Sequence, residues 1–98
     1  MKITWSPKAL QSYFSIFNSI NERRSKKEVE KFVEQTDKVI EQITDNPNMF
    51  IATDKRKDVR KGFVNKLVSL YYKVYPRKKE IVILRFWDNR QDPKKLKY

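Results

Sequence analysis

The sequence contains neither cysteine nor histidine. Without cysteine there is no disulfide, no thiolate metal site and no thiol nucleophile. Without histidine, both the commonest general base and the commonest metal ligand are missing. Proton transfer would fall to Lys, Tyr, Asp or Glu, and no metal and no cofactor is expected. A single glycine and four prolines in 98 residues exclude a linker-rich or low-complexity chain and leave no glycine-rich phosphate loop. No apolar run approaches the roughly 18 residues of a membrane span. The opening MKITWSPKAL has no apolar stretch of signal-peptide length. The expectation is a cytoplasmic protein with no membrane partner.

What is present is enough to fold. Hydrophobic residues make up 39% of the chain and aromatic ones 13%, too much apolar material for disorder. The length suits one domain over residues 1–98 with one modest core. The formal charge is +11, and it is segregated. Residues 1–46 hold eight Lys and Arg against seven acids, whereas residues 47–98 hold fifteen against five. A basic field confined to one half is the footprint of a polyanionic partner.

Periodicity then divides the chain. Residues 2–5 alternate as a short strand does. Ser6 and Pro7 supply an N-cap and a proline at the first helical position. From there Leu10, Tyr13, Phe14, Phe17 and Ile20 recur at helical spacing, with Ile16 widening the stripe. Ser25 and Glu28 form a capping box. The second helix presents Val29, Phe32, Val33, Thr36, Ile40 and Ile43, flanked by Val39, and ends at Asp45–Pro47. Its six acids against four lysines mark an ordinary solvated outer face. So short a connection predicts an antiparallel helical hairpin.

Beyond Pro47 the period becomes two. Residues 49–51 read as a short strand or a loop, and residues 59–64 as a strand. In residues 67–75, Val68, Leu70, Tyr72 and Val74 share one face while Ser69, Tyr71, Lys73 and Tyr75 share the other. Residues 76–79 are a turn. Residues 80–87, apolar on both faces, belong in the middle of a sheet. The fold class is therefore α+β: an N-terminal strand, then a two-helix hairpin packed on one face of a three- to four-stranded, mainly antiparallel sheet. The opposite face, bearing Ser69, Tyr71, Lys73 and Arg85, has nothing obvious to cover it, and a polyanion would dock there. Trp5 and Trp87 read as packing residues at the sheet ends.

These segments together resemble the RelE/ParE toxin family, including members known as plasmid-stabilisation proteins. Ile3–Ala9 (Ile-Thr-Trp-Ser-Pro-Lys-Ala) is similar to the family's first strand running into its first helix. Phe32, Ile40 and Ile43 followed by Pro47 resemble its second helix. Val59–Lys61, Leu70–Val74 and Ile81–Leu84 resemble its sheet, and Asp88–Pro93 (Asp-Asn-Arg-Gln-Asp-Pro) its arginine-bearing end. The resemblance covers nearly the whole chain. It implies the toxin half of a type II toxin–antitoxin pair, held inactive by a cognate antitoxin that lies over helices and sheet.

The resemblance also implies one of two activities. RelE-like members cut messenger RNA on the ribosome, using Lys, Arg and a late Tyr where histidine is lacking, whereas ParE-like members act on DNA gyrase and cut nothing. On the first pattern Arg60, Lys61 and Arg90 are the catalytic candidates. Lys55, Arg56, Lys57, Tyr71, Lys73, Arg85, Lys94 and Lys95 are the nucleic-acid-binding ones. Two positions depart from that pattern. Ser69 stands where an arginine usually precedes the Leu-x-Tyr core, and Leu96 lies near the place of the late tyrosine, with Tyr98 just beyond. The expected enzyme is thus a metal-independent endoribonuclease with an incomplete catalytic set, acting by message cleavage or a translation block. Gyrase inhibition and plain nucleic-acid binding stand as the alternatives. Residues 55–57 are either a phosphate contact or a charged loop. Tyr71 either stacks on a base or packs beside the last residues of the chain.

Overall fold

In the computed structural model, which describes residues 1–98, the chain runs β1 (Lys2–Trp5), α1 (Pro7–Arg23), α2 (Lys26–Asp45), β2 (Val59–Phe63), β3 (Val68–Tyr75) and β4 (Glu80–Asp88). Short 3-10 turns occupy Pro76–Lys78 and Pro93–Lys95. Both helix starts follow from their serines. Ser6 Oγ accepts from the Ala9 amide at 3.0 Å with Pro7 next in line, and Ser25 Oγ accepts from the Glu28 amide at 3.4 Å. Each side chain satisfies a donor that the first helical turn leaves free.

The sheet order is β1-β4-β3-β2. Strands β2, β3 and β4 form an antiparallel meander, while β1 pairs with β4 in parallel, Lys2 opposite Glu80 through Trp5 opposite Ile83. The mainly antiparallel α+β arrangement expected from the sequence is the one observed. β4 is interior to the sheet, as its two apolar faces required.

β1 spans four residues and β4 nine, so on its β1 side the second half of β4 has no strand. Helix α1 fills that place. Ser6 Oγ donates to the Leu84 carbonyl and the Phe86 amide donates to Ser12 Oγ, both at 2.9 Å. Along its other edge β4 carries a bulge. Tyr71 pairs with Arg85 but Tyr72 pairs with Ile83, which leaves Leu84 as the extra residue. A bulge shifts the alternation by one. Ile81, Ile83 and Phe86 can therefore all enter the core beneath the helices, which uninterrupted alternation would forbid.

That core joins Ala9, Phe32, Val39 and Ile43 to Leu70, Tyr72, Ile81, Ile83 and Phe86. Tyr13 stacks on Phe32 and meets Trp5 and Phe86 edge-on. Two residues of the expected α1 stripe stay outside: Leu10 and Phe14 are 48% and 49% exposed. Ala9 takes the buried position that the sequence reading gave to Leu10, between Ser6 and Ser12, the two serines bonded to β4. In α2 it is Val39, not Val33 or Ile40, that is fully buried.

Residues 47–53 fold over the end of the sheet as a loop. Ala52 forms an isolated bridge with Arg60, and the Thr53 and Lys61 amides donate to Val59 and Ile51 carbonyls. This closes the outer edge of β2 against further pairing. The buried Tyr72 hydroxyl donates to the Pro47 carbonyl at 2.7 Å. The chain's single glycine, Gly62, sits under the Phe50 ring, 3.4 Å from where a Cβ would be.

The serine substitutes for the missing strand carry a measurable share of stability. Ser12→Ala leaves the Phe86 amide without its acceptor and is expected to cost about 1–3 kcal/mol. Urea denaturation read by circular dichroism checks this, and a midpoint equal to the parent's would show that water replaces the hydroxyl without loss.

Candidate functional site

Sheet face and loop geometry decide which candidate residues meet. The face away from the helices is not open. Residues 93–98 lie across it as a strap, correcting the expectation of an uncovered basic sheet. Asp92 starts the strap by accepting from the Lys94 amide at 3.0 Å. Tyr98 stacks on Tyr71 with centroids 4.6 Å apart and planes 17° from parallel. Leu96 and Tyr98 pack with Leu84 against a small second core of Val59, Tyr71 and Trp87. Arg85 Nη1 donates to the Lys97 carbonyl and Arg56 Nη1 to the Tyr98 carbonyl, each at 3.0 Å. Tyr71 is consequently buried, and of its two readings the packing one holds in this structure. Trp87 likewise belongs to this second core, not to a sheet end. Burial, with the neighbouring Tyr98, pushes the Tyr71 phenol above its ordinary value of 10, so it keeps its proton at neutral pH.

Around this strap the basic candidates divide. Lys73 Nζ lies 2.9 Å from Asp58, and Arg56 lies 3.2 Å from the same carboxylate. The hydrogen bond from Lys73, then that from Arg56, hold Asp58 down at about 2. Both pairs therefore stand at neutral pH and are given up only as the pH falls through that value. Lys61 has no acidic partner. Its ammonium lies 5.4 Å from the Phe63 ring and 6.0 Å from that of Tyr71, beside a hollow of about 680 Å³ that also takes in Lys55, Met49, Ile51 and Tyr98. Lys57, Lys94 and Lys95 are solvated.

Arg60 is on the other side of the sheet. It pairs across from the buried Tyr72, and its Nη1 donates to the Phe50 carbonyl at 2.6 Å and more weakly to that of Asn48 at 3.4 Å. Adjacent residues on a strand point to opposite faces, so Arg60 and Lys61 cannot serve one ligand. Arg60 fastens the 47–53 loop.

Arg90 is on a third surface. It grips Asp88 with two nitrogens, Nη2 at 2.8 Å and Nε at 3.1 Å. These bonds lower the Asp88 carboxyl and raise the Arg90 guanidinium. Arg90 rims a hollow of about 650 Å³ between the helical hairpin and the start of β3, with Arg24, Lys31 and Lys66 around an apolar floor that includes Ile20 and Phe32. The sequence reading did not single out those three cations. They are far apart in the chain, and two of them sit in the half whose net charge is near zero. Ser69, where the resemblance leads one to expect an arginine, is buried and donates to Asn89 Oδ1 at 2.9 Å. No three acidic side chains converge as a metal centre, and no helix is long and apolar enough to cross a membrane.

If the strap is what closes the outer face, Tyr98→Ala should cost about 1–3 kcal/mol in lost burial and stacking. It should also shift tryptophan emission to the red as Trp87 meets water. Unchanged emission and unchanged stability would place the strap elsewhere in solution.

A family model described as the ParE toxin of the type II toxin–antitoxin system, parDE, matches residues 3–93. Among curated proteins no sequence matches significantly. Solved structures with the same fold include the chromosomal ParDE system from P. aeruginosa, with a TM-score of 0.73 at 20% identity over 90% of this chain and 95% of that one. The isolated E. coli RelE toxin gives 0.64 at 13% identity over 95% and 88%. A YoeB/ParE toxin from Agrobacterium tumefaciens gives 0.63 at 10% identity over 91% and 99%.

Proposed function

Because the chain belongs to the ParE toxin family of type II toxin–antitoxin systems, we propose that it arrests growth by binding its target and not by cutting RNA, as a ParE-like inhibitor of DNA gyrase in the cytoplasm. The observation that carries this reading is the dispersal of Arg60, Lys61 and Arg90 over three surfaces.

Cleavage through the 2′-hydroxyl needs a base, a cation on the pentavalent phosphate and a proton donor, all around one atom. Here Arg60 is spent on the Phe50 carbonyl and Arg90 on Asp88. Tyr71 holds its proton too firmly to act as a base, and Ser69 offers no cation. Lys61 remains beside Tyr71 and Tyr98 on a hollow that Lys55 and Asp54 also line, but neither Arg60 nor Arg90 reaches it. The ParE description of the matching family model supports this reading.

Family membership also implies a cognate antitoxin. We place its acidic, partly apolar segment in the groove lined by Arg24, Lys31 and Lys66, where these cations outnumber Glu28 and the Asp88–Arg90 pair is internally balanced around an apolar floor. Such a segment binds only the folded toxin, so it should raise the melting temperature in proportion to the logarithm of its concentration. Scanning calorimetry with the purified antitoxin measures this. Undiminished stabilisation of Lys31→Glu/Lys66→Glu would move the contact elsewhere.

The gyrase reading is tested by inducing the toxin while mapping messenger RNA 5′ ends and assaying supercoiling by purified gyrase. Expected are intact messages and inhibited supercoiling or trapped gyrase–DNA complexes. Codon-phased cuts that vanish in Arg90→Ala, with gyrase unaffected, would overturn it in favour of the endoribonuclease.

A further inference from the structure

We propose that the turn joining β3 to β4, with the start of β1 beside it, is a contact for the backbone phosphates of duplex DNA. The strap covers the outer sheet face, and at this turn the cations of the basic half stay free. Arg77, Lys78 and Lys79 follow one another there, and the Lys2 amide donates to the Lys79 carbonyl at 2.9 Å, which sets a fourth cation alongside. All four are exposed and none forms an ion pair. The acids at this end of the sheet are engaged. Glu80 accepts from Thr4 Oγ1 at 3.0 Å, and Asp58 binds Lys73 and Arg56.

The turn holds these charges in a fixed shape, at a conformational cost. Pro76 fixes its first φ, and the Lys79 amide closes it on the Pro76 carbonyl at 3.2 Å. Lys79 has φ 51° and ψ 45° and is the one residue of the chain with positive φ. Glycine occupies that left-handed region freely, whereas a Cβ is crowded there by the following carbonyl. A lysine in this place keeps a charge where glycine would be the relaxed choice.

The surroundings decide the partner. Met1 aside, the exposed large apolar side chains lie on α1, in the 47–53 loop, and at or after the end of β2. An acidic protein would need apolar anchors of that kind, whereas a phosphate backbone needs only cations and the release of its own counterions. Single strands stack on exposed rings, but the half-buried Tyr75 ring already carries the Lys73 and Lys78 ammonium groups, at 4.8 and 5.7 Å. The choice of DNA over RNA rests on the gyrase reading, since that target works on duplex DNA. The turn stands at the far end of β3 from the groove given to the antitoxin, about 25 Å away along eight strand residues, so one toxin has room for both partners.

The test is the fluorescence anisotropy of a short labelled DNA duplex, titrated with the full chain at several salt concentrations and without gyrase. Each phosphate contact steepens the fall of log affinity with log salt by about 0.9. Arg77→Gln/Lys78→Gln/Lys79→Gln should therefore lower the slope by about 2–3 and weaken binding by about tenfold or more at moderate salt. Removing as many charges from the strap, in Lys94→Gln/Lys95→Gln/Lys97→Gln, should change the slope less. Lys79→Gly separates contact from fold. It relieves the crowded backbone, so its melting temperature should equal or exceed the parent's while the slope falls by about one. Because gyrase is absent, failure here refutes the turn and leaves the supercoiling result as it was, and failure of gyrase inhibition leaves duplex binding to be read on its own. Equal effects of the two triple variants would overturn the proposal in favour of a diffuse net charge. So would an unchanged slope in Lys79→Gly, or tighter binding of duplex RNA than of DNA at equal salt. Displacement of the DNA by poly-glutamate as effectively as by unlabelled duplex would overturn it in favour of an acidic protein.

Discussion

Nine residues of β4 need main-chain partners along an edge on which β1 offers four, and most of the molecule is arranged around that shortfall. A buried strand cannot leave amides and carbonyls unpaired without a cost comparable to a lost hydrogen bond. Here the start of α1 is drawn down against Leu84 and Phe86 through the hydroxyls of Ser6 and Ser12. That docking sets Ala9 against the sheet, delivers Tyr13 to Phe32 and Phe86, and fixes the hairpin over the inner face. The bulge at Leu84 completes the fit by turning Phe86 inward and leaving Trp87 outward.

Local signals in the chain were readable because they act locally. Two serines followed by proline or by a glutamate three places on mark helix starts through hydrogen bonds spanning three residues. The alternation of Val68, Leu70, Tyr72 and Val74 marks a face through the two-residue pleat. What escaped was set by partners distant in sequence. Nothing within residues 80–88 states that β1 will pair in parallel and then stop, so neither the bulge nor the serine contacts were foreseeable. Leu10 and Phe14 fit an apolar stripe as well as Ala9 does, and the docking of Ser6 and Ser12 on β4 is what turns Ala9 inward. The strap of residues 93–98 was unreadable for the same reason, although the reading of Tyr71 as a packing partner for the last residues already contained it.

Charge shows the same division. Composition located the basic half, and residue numbering placed Arg60 next to Lys61, but the pleat sends them to opposite faces. The hollow beside the helical hairpin combines Arg24 and Lys31 from the near-neutral half with Lys66 and Arg90 from the basic one. A sum over sequence segments has no access to such a grouping.

The two edges of the sheet differ in how they meet other chains. Residues 51–53 occupy the outer side of β2, and two serines occupy the late half of β4. β1 is left as the bare rim, four residues long and headed by Lys2. Like molecules brought together at high concentration would present one another with a short ribbon and facing positive charges, a poor template for fibril growth. The same economy that lets α1 stand in for a strand therefore guards the free protein against aggregation.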